Sequence, residues 1–212
     1  MTPAIELNDL RKQYGRRTAL HGLTLTVTQG TVFGLIGPNG AGKTTTLRML
    51  VDIIRPTSGT ARVLGTDPRT GGAALRRRIG YVPGELRMEG RATGRRLLDF
   101  YASVSGPVRQ GRIEQLAERL SCDLSRPVRT LSKGNKQKLG LIQAFMHEPP
   151  LLILDEPTSG LDAASAAEVM KLITTLAKSR GFAVLCSIHQ PSSHVFYAFD
   201  QVLLLSKGRV AY

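Results

Sequence analysis

The chain has 212 residues, 42% hydrophobic and 21% charged, with a formal charge of +13; this suits one large α/β domain, or a core with a small insertion, and excludes a disordered chain. No apolar run approaches the roughly 18 to 20 residues that cross a bilayer, and the start, MTPAIELNDL, carries acids and no apolar signal segment, so a cytoplasmic chain that meets a membrane only through a partner is expected. Cys122 and Cys186 stand apart, without a CxxC or a histidine cluster, which reads as two reduced thiols and not as a zinc site or disulfide framework.

In chain order, period-two alternation in Ile5-Glu6-Leu7 and in Leu23-Thr24-Leu25-Thr26-Val27, followed by the turn Gln29-Gly30, predicts early antiparallel strands. Thr31 to Ile36 is nearly all apolar, as in a sheet buried on both faces, and runs into a glycine-rich turn and then a helical pattern from Thr44 to Val51. A short strand around Ala61 to Leu64 completes the antiparallel edge. From about Pro83 to Pro127 the chain reads as a helical, arginine-rich insertion, with amphipathic spacing at Ile113, Leu116, Ala117 and Leu120. Leu151 to Leu154 and Ala183 to Ser187 are further buried-type strands, separated by a helix from about Ala164 to Ser179 that ends in Arg180-Gly181. A last strand, Gln201 to Leu205, turns at Lys207-Gly208.

The positive charge is densest between Arg69 and Arg96, where eight arginines face only Glu85 and Glu89. Such an excess attracts nucleic acid, anionic lipid or acidic partners without choosing among them, and a solvated face is the commoner meaning of a charge run.

Gly37-Pro38-Asn39-Gly40-Ala41-Gly42-Lys43-Thr44 fits G-x-x-x-x-G-K-[ST] in full, between a predicted strand and a predicted helix, with Thr45 next on that helix. Backbone N–H groups freed by the glycines surround phosphates, the helix N-terminus adds its positive end, Lys43 reaches the β and γ phosphates, and the Thr44 hydroxyl binds Mg²⁺. Leu151-Leu-Ile-Leu-Asp155-Glu156 supplies the other half of an ATP site: the strand delivers Asp155 to the Mg²⁺ shell and Glu156 to an attacking water. Taken alone, the two acids also suit a helix cap ahead of Pro157. The fold class expected is therefore α/β, a P-loop NTPase core with a mixed, mainly parallel sheet, an antiparallel β edge and an α-helical insertion. Residues 1–82 and 129–212 form the two parts of the nucleotide-binding core, and 83–128 form the insertion.

Three further stretches follow in order: Leu131-Ser132-Lys133-Gly134-Asn135-Lys136-Gln137 before a helix, Ser159-Gly160-Leu161-Asp162 after the paired acids, and His189 just past a buried strand. Singly they read as a cap, a turn and a structural histidine. Around the two nucleotide motifs they resemble the ATP-binding cassette ATPases, the nucleotide-binding subunits of ABC transporters, over essentially the whole chain. The resemblance implies an ATPase that uses ATP and Mg²⁺, packs head to tail as a homodimer or heterodimer, and powers export of a small or lipophilic substrate through a separate transmembrane permease at the inner face of the cell membrane. It also implies that Ser132 and Gly134 of one subunit close over the γ-phosphate held by Lys43 of the other. Tyr14 would stack on adenine, His189 would contact the γ-phosphate, and Asp162 would lie in the loop that joins the two sites. Tyr14 also reads as an ordinary loop tyrosine. Lys133 and Asn135 depart from the family's Gly and Gln.

The same resemblance places a glutamine after Ile79-Gly-Tyr-Val-Pro83, in a sensor loop that reaches Mg²⁺ and the attacking water and contacts the permease. Here that position is Gly84. Either Glu85 replaces the contact or the loop works without it; if Glu85 contributes nothing, Gly84→Gln is expected to raise turnover. A working ATPase with an altered sensor loop is expected, because Glu156 and Lys43 are present.

Up to Asp162 the pattern is similar to bacterial multidrug-type exporters, whereas from about Ala163, with Ile188-His-Gln-Pro-Ser-Ser193, it looks more like the white/pigment half-transporters. A hybrid, an engineered recombination and a divergent natural chain remain open, and the end soon after the last hairpin suggests a truncated chain. The competing functions are a soluble ABC ATPase acting on nucleic acid or ribosomes, which only the basic charge supports, and an ATP-gated binding module with weak turnover, which only Gly84 supports. Nucleic acid is accordingly not expected as a partner.

Overall fold

A computed structural model describes residues 2–211. The long alternating strands β1 (Pro3–Tyr14) and β2 (Arg17–Thr28) form a hairpin, and β4 (Ser58–Val63) joins the other side of β1, giving an antiparallel three-stranded sheet of order β2-β1-β4. The expected antiparallel edge is thus a sheet of its own.

The second sheet has six strands: β5 (Ile79–Val82), β6 (Leu151–Asp155), β7 (Ala183–Ile188), β3 (Val32–Ile36), β8 (Gln201–Ser206) and β9 (Arg209–Val210), in that spatial order. All are parallel except β9, which pairs antiparallel with β8. Its central strands are buried on both faces, which is why they read as unbroken apolar runs. Leu152 and Leu154 of β6 enter the core on one face, while Leu151 and Ile153 enter the core on the other. One core lies under the helices; the other is closed by the three-stranded sheet and by α1 (Lys43–Leu50).

The helices begin where the sequence supplies caps. Asp67 accepts from the Arg69 N–H ahead of α2 (Pro68–Arg76), and Thr93 accepts from the Arg96 N–H ahead of α3 (Gly94–Ser105). α4 (Arg112–Arg119) follows Gly111 in the left-handed region. Ser132 caps α5 (Lys133–Phe145), Asp162 caps α6 (Ala163–Arg180), and Gly181 at φ 68° ends α6. A short α7 (Ser193–Phe196) leads to β8.

Two expectations need correction. The stretch 83–127 is not helical throughout: 84–93 forms no helix, and the insertion holds only α3 and α4, separated at Gly106-Pro107. Pro83, Gly84, Gly90 and Pro107 break the backbone pattern that the amphipathic spacing suggested. The arginine-rich field is also less bare than the local sequence implies. Arg69 pairs with Asp67 at 2.7 Å, Arg87 with Glu85 at 3.0 Å, and Arg95 with both Asp99 and Glu114. Asp67, Asp99 and Glu114 lie outside the window that frames the cluster, so the fold partly neutralises it. Among the described residues no helix is long and apolar enough to cross a membrane. Both cysteines are buried, with burial pushing the Cys122 thiol up to about 11 and the Cys186 thiol higher still, so neither is a ready nucleophile.

Candidate nucleotide site

In the parallel sheet β5, β6, β7 and β3 are successive neighbours, so their carboxyl ends gather Gly84, Asp155-Glu156, His189 and the glycine loop at one rim. Ligands of open α/β sheets lie at such a rim. A cleft of about 330 Å³ opens there, lined by Asn39 to Thr45 and Glu156, with Tyr14, Arg17 and Ala19 from the β1–β2 hairpin.

The loop is tight by necessity. A Cβ on Gly37 would sit 2.1 Å from the Leu205 carbonyl oxygen of β8, and Gly42 combines φ 107° with a would-be Cβ 2.8 Å from the Ala19 carbonyl oxygen. Side chains there would push the loop off the sheet, and the first turn of α1 would no longer present its N–H groups. Lys43 is 5% exposed, and its ammonium donates to the carbonyl oxygens of Gly37 at 2.6 Å and Pro38 at 3.2 Å. Burial lowers its pKa from the ordinary lysine value, and the charges of Glu156 and Asp155 oppose that shift.

Asp155 is fully buried at the end of β6. Its Oδ1 accepts from the Thr44 hydroxyl at 3.2 Å and from the Ser187 hydroxyl of β7. Its Oδ2 is buried with no hydrogen-bond partner among the described residues. An orphaned carboxylate oxygen beside a hydroxyl is an all-oxygen donor set that fits a hard divalent cation, and Mg²⁺ takes few protein ligands when phosphates supply the others. The described residues hold no group of three or more His, Cys, Asp or Glu that would bind a metal without a nucleotide.

Glu156 lies at φ 51°, a conformation side-chain-bearing residues rarely adopt. Its N–H donates to Ser187 Oγ and to the Ser187 carbonyl, both at 3.1 Å. Tyr14 ends β1, 48% exposed, and the Lys12 ammonium lies 4.9 Å from its ring centroid. His189 directly follows β7 at the same rim, half-buried, though outside the residues that line the cleft.

Ser132, Gly134 and Asp162 are elsewhere. Ser132 Oγ accepts from the Asn135 N–H, Asp162 accepts from the Ser165 N–H and hydroxyl, and none of the three lines the cleft. The start of α5 instead packs on the loop after the paired acids: a Cβ on Gly134 would lie 2.8 Å from the Gly160 carbonyl oxygen, and the Lys133 ammonium donates to Ser159 Oγ at 3.2 Å. The family's glycine at position 133 is thus exchanged for a lysine that packs on the loop after the paired acids. Glu85 bonds Arg87 and its side chain is 71% exposed. Gly84 lies against Asp155, where a Cβ would be 2.9 Å from Oδ2.

Arg17, Ser187 and Gln137 escaped the sequence reading. Arg17 carried a usable signal, a cation three residues after Tyr14 across a short turn. Ser187 and Gln137 carried none, since each acquires its partner only through the sheet and the helix packing.

A strand–glycine loop–helix unit with an acid pair on the neighbouring strand end defines a P-loop nucleoside triphosphatase. A family model described as ABC transporter matches residues 20–159. The chain belongs to the ATP-binding subunits of the ABC transporter family, which are ATPases. It is 36% identical to the bacitracin transport ATP-binding protein BcrA of Bacillus licheniformis, over 99% of this chain and 69% of that protein. It is 35% identical to a probable multidrug ABC transporter ATP-binding protein of Escherichia coli, over 97% of this chain and 36% of that protein. A solved ATP-binding subunit of an ABC transporter superposes with a TM-score of 0.88 at 29% identity, covering 99% of this chain and 88% of the other. A dimeric bacterial ABC transporter cassette shares the fold with a TM-score of 0.88 at 21% identity.

Proposed function

We propose that the chain binds MgATP in the cleft at the sheet rim, hydrolyses it in a head-to-tail dimer, and powers export of a small or lipophilic substrate through a separate permease. The observation that carries the reading is Asp155: fully buried, bonded through one oxygen to the phosphate-loop hydroxyl of Thr44, and orphaned at the other. Thr44 and Asp155 would hold Mg²⁺, which would supply neutralisation of the triphosphate charge. Lys43 exchanges its carbonyl partners for those phosphates. Tyr14 stacks on adenine with the face that Lys12 leaves open. Glu156 takes the proton of the attacking water, and His189 contacts the γ-phosphate.

Ser132 and Gly134 serve the cleft of a second copy or a relative, a reading supported by neither of them lining their own chain's cleft; Asp162 sits where the two sites communicate. The division into 1–82, 83–128 and 129–212 is supported by α3 and α4, which stand between β5 and the helix α5 that leads to β6. A groove of about 680 Å³ between insertion and core, with Arg76, Arg77, Arg87, Tyr81 and Val104 on its walls, is the seat for the permease and brings the chain to the inner face of the membrane. The transport names of the relatives support export. The half-transporter character of the last quarter rests on Ile188 to Ser193, which carry His189.

Binding tests the reading first. Calorimetry with ATP and Mg²⁺ is expected to give roughly tenfold to hundredfold weaker affinity for Lys43→Met, the loss of a charge-assisted contact; equal affinities would overturn it. The sensor loop gives a second test. Gly84→Ala places a Cβ against the Asp155 oxygen, so turnover at limiting Mg²⁺ is expected to fall about fivefold to tenfold and to recover as Mg²⁺ rises. Glu85→Ala should leave turnover unchanged, because its carboxylate pairs with Arg87 in solvent. An unaltered Mg²⁺ dependence in Gly84→Ala would argue against the contact.

A further inference from the structure

We infer that Gln137 is a positioning residue for Glu156, and that it supplies the tie between α5 and the strand-end acids for which position 84 offers no side chain. The inference rests on the reading of Glu156 as the base. Gln137 lies in the second turn of α5, is 3% exposed, and donates its Nε2 to the Glu156 carbonyl oxygen at 3.3 Å. A buried amide is costly unless paired, and this pair ties a helix of one core to a strand end of the sheet.

The conformation of Glu156 gives the pair its meaning. A side-chain-bearing residue at φ 51° persists only where its neighbours hold it, and the two peptide groups flanking the Glu156 Cα are held from two directions. The N–H is fixed by Ser187 at the end of β7, and the carbonyl by Gln137 on α5. The Cα–Cβ direction of Glu156, from which its carboxylate extends, is set by those two peptide planes. Releasing the carbonyl lets the residue relax toward ordinary backbone angles and turns the carboxylate.

Gly84 and Gln137 line one cleft of about 390 Å³ between the sensor loop and α5, with Lys133 and Lys136 at its edge. A Cβ at 84 would stand there 2.9 Å from Asp155 Oδ2. In this chain the mechanical link to the acids therefore runs through α5. That helix is capped by Ser132, so any displacement of its N-terminus is transmitted to Glu156 through one hydrogen bond.

The test is steady-state ATP turnover of the purified chain, at concentrations that populate the dimer, for Gln137→Met and Gln137→Asn. The first keeps length without a donor; the second keeps the amide one methylene short and preserves folding if the first does not. In both, kcat is expected to fall about tenfold, the loss of one aligned hydrogen bond, while KM for ATP stays within about twofold because Gln137 lines no part of the nucleotide cleft. Unchanged kcat in folded Gln137→Asn overturns the inference. So does a loss of kcat accompanied in both variants by weaker ATP affinity and a lower melting temperature, the pattern of a packing residue. Glu156→Gln run in parallel separates the two readings. If it leaves turnover intact, the base assignment fails and this inference with it; if turnover collapses there yet ignores Gln137, only this inference falls.

Discussion

Glu156→Gln is expected to lower kcat by roughly 10² to 10⁴ while ATP binding remains, the range for removing a general base. The amide has nearly the carboxylate's shape and leaves the backbone contacts to Ser187 and Gln137 in place, so the strained position survives and only the proton acceptor is lost. Affinity should hold because Lys43, Thr44 and the loop N–H groups contact the phosphates, and it may be read by calorimetry alongside phosphate release. Removing one negative charge near Lys43 also relaxes an attraction that holds its ammonium charged, a second-order effect. Turnover equal to the wild type would remove Glu156 from the mechanism and with it the water-activation step.

Phe145→Ala is expected to cost about 3 to 5 kcal/mol of stability. Phe145 is fully buried at the last position of α5, in the core that joins the insertion to the sheet. Truncation leaves a cavity lined by neighbours from several elements, which close packing prevents from collapsing. For a chain of this size the melting temperature should drop by about 6 to 20 °C. A shift under about 2 °C would mean that α5 is held by its ends and not by its buried face. Because Ser132 caps α5 and Gln137 lies on it, urea titration followed by ATPase near the midpoint also reveals whether activity is lost before global unfolding.

The phosphate loop was legible because its chemistry is local. Eight contiguous residues from Gly37 to Thr44 hold the glycines, the lysine and the hydroxyl, and the flanking strand and helix have their own periodicities. Asp155 and Glu156 were legible for the same reason, as was the antiparallel character of β1, β2 and β4. The breaks in the insertion are visible as Pro83, Gly84 and Gly106-Pro107, whereas the apolar spacing that suggests helix is confined to 113–120.

What the sequence by itself determined is the nucleotide chemistry and the strand–loop–helix unit that bears it, since those depend on near neighbours along the chain. Only the tertiary structure decided how the acids are held. Ser187 reaches Asp155 across 32 positions and Gln137 reaches Glu156 across 19, through sheet order and helix packing that no local pattern encodes. It also placed Gly84 among the acids. By sequence, either Glu85 replaces the glutamine contact or the loop works without it; in three dimensions the pairing of β5 with β6 sets a Cβ at 84 only 2.9 Å from Asp155 Oδ2, while Glu85 pairs with Arg87 in solvent.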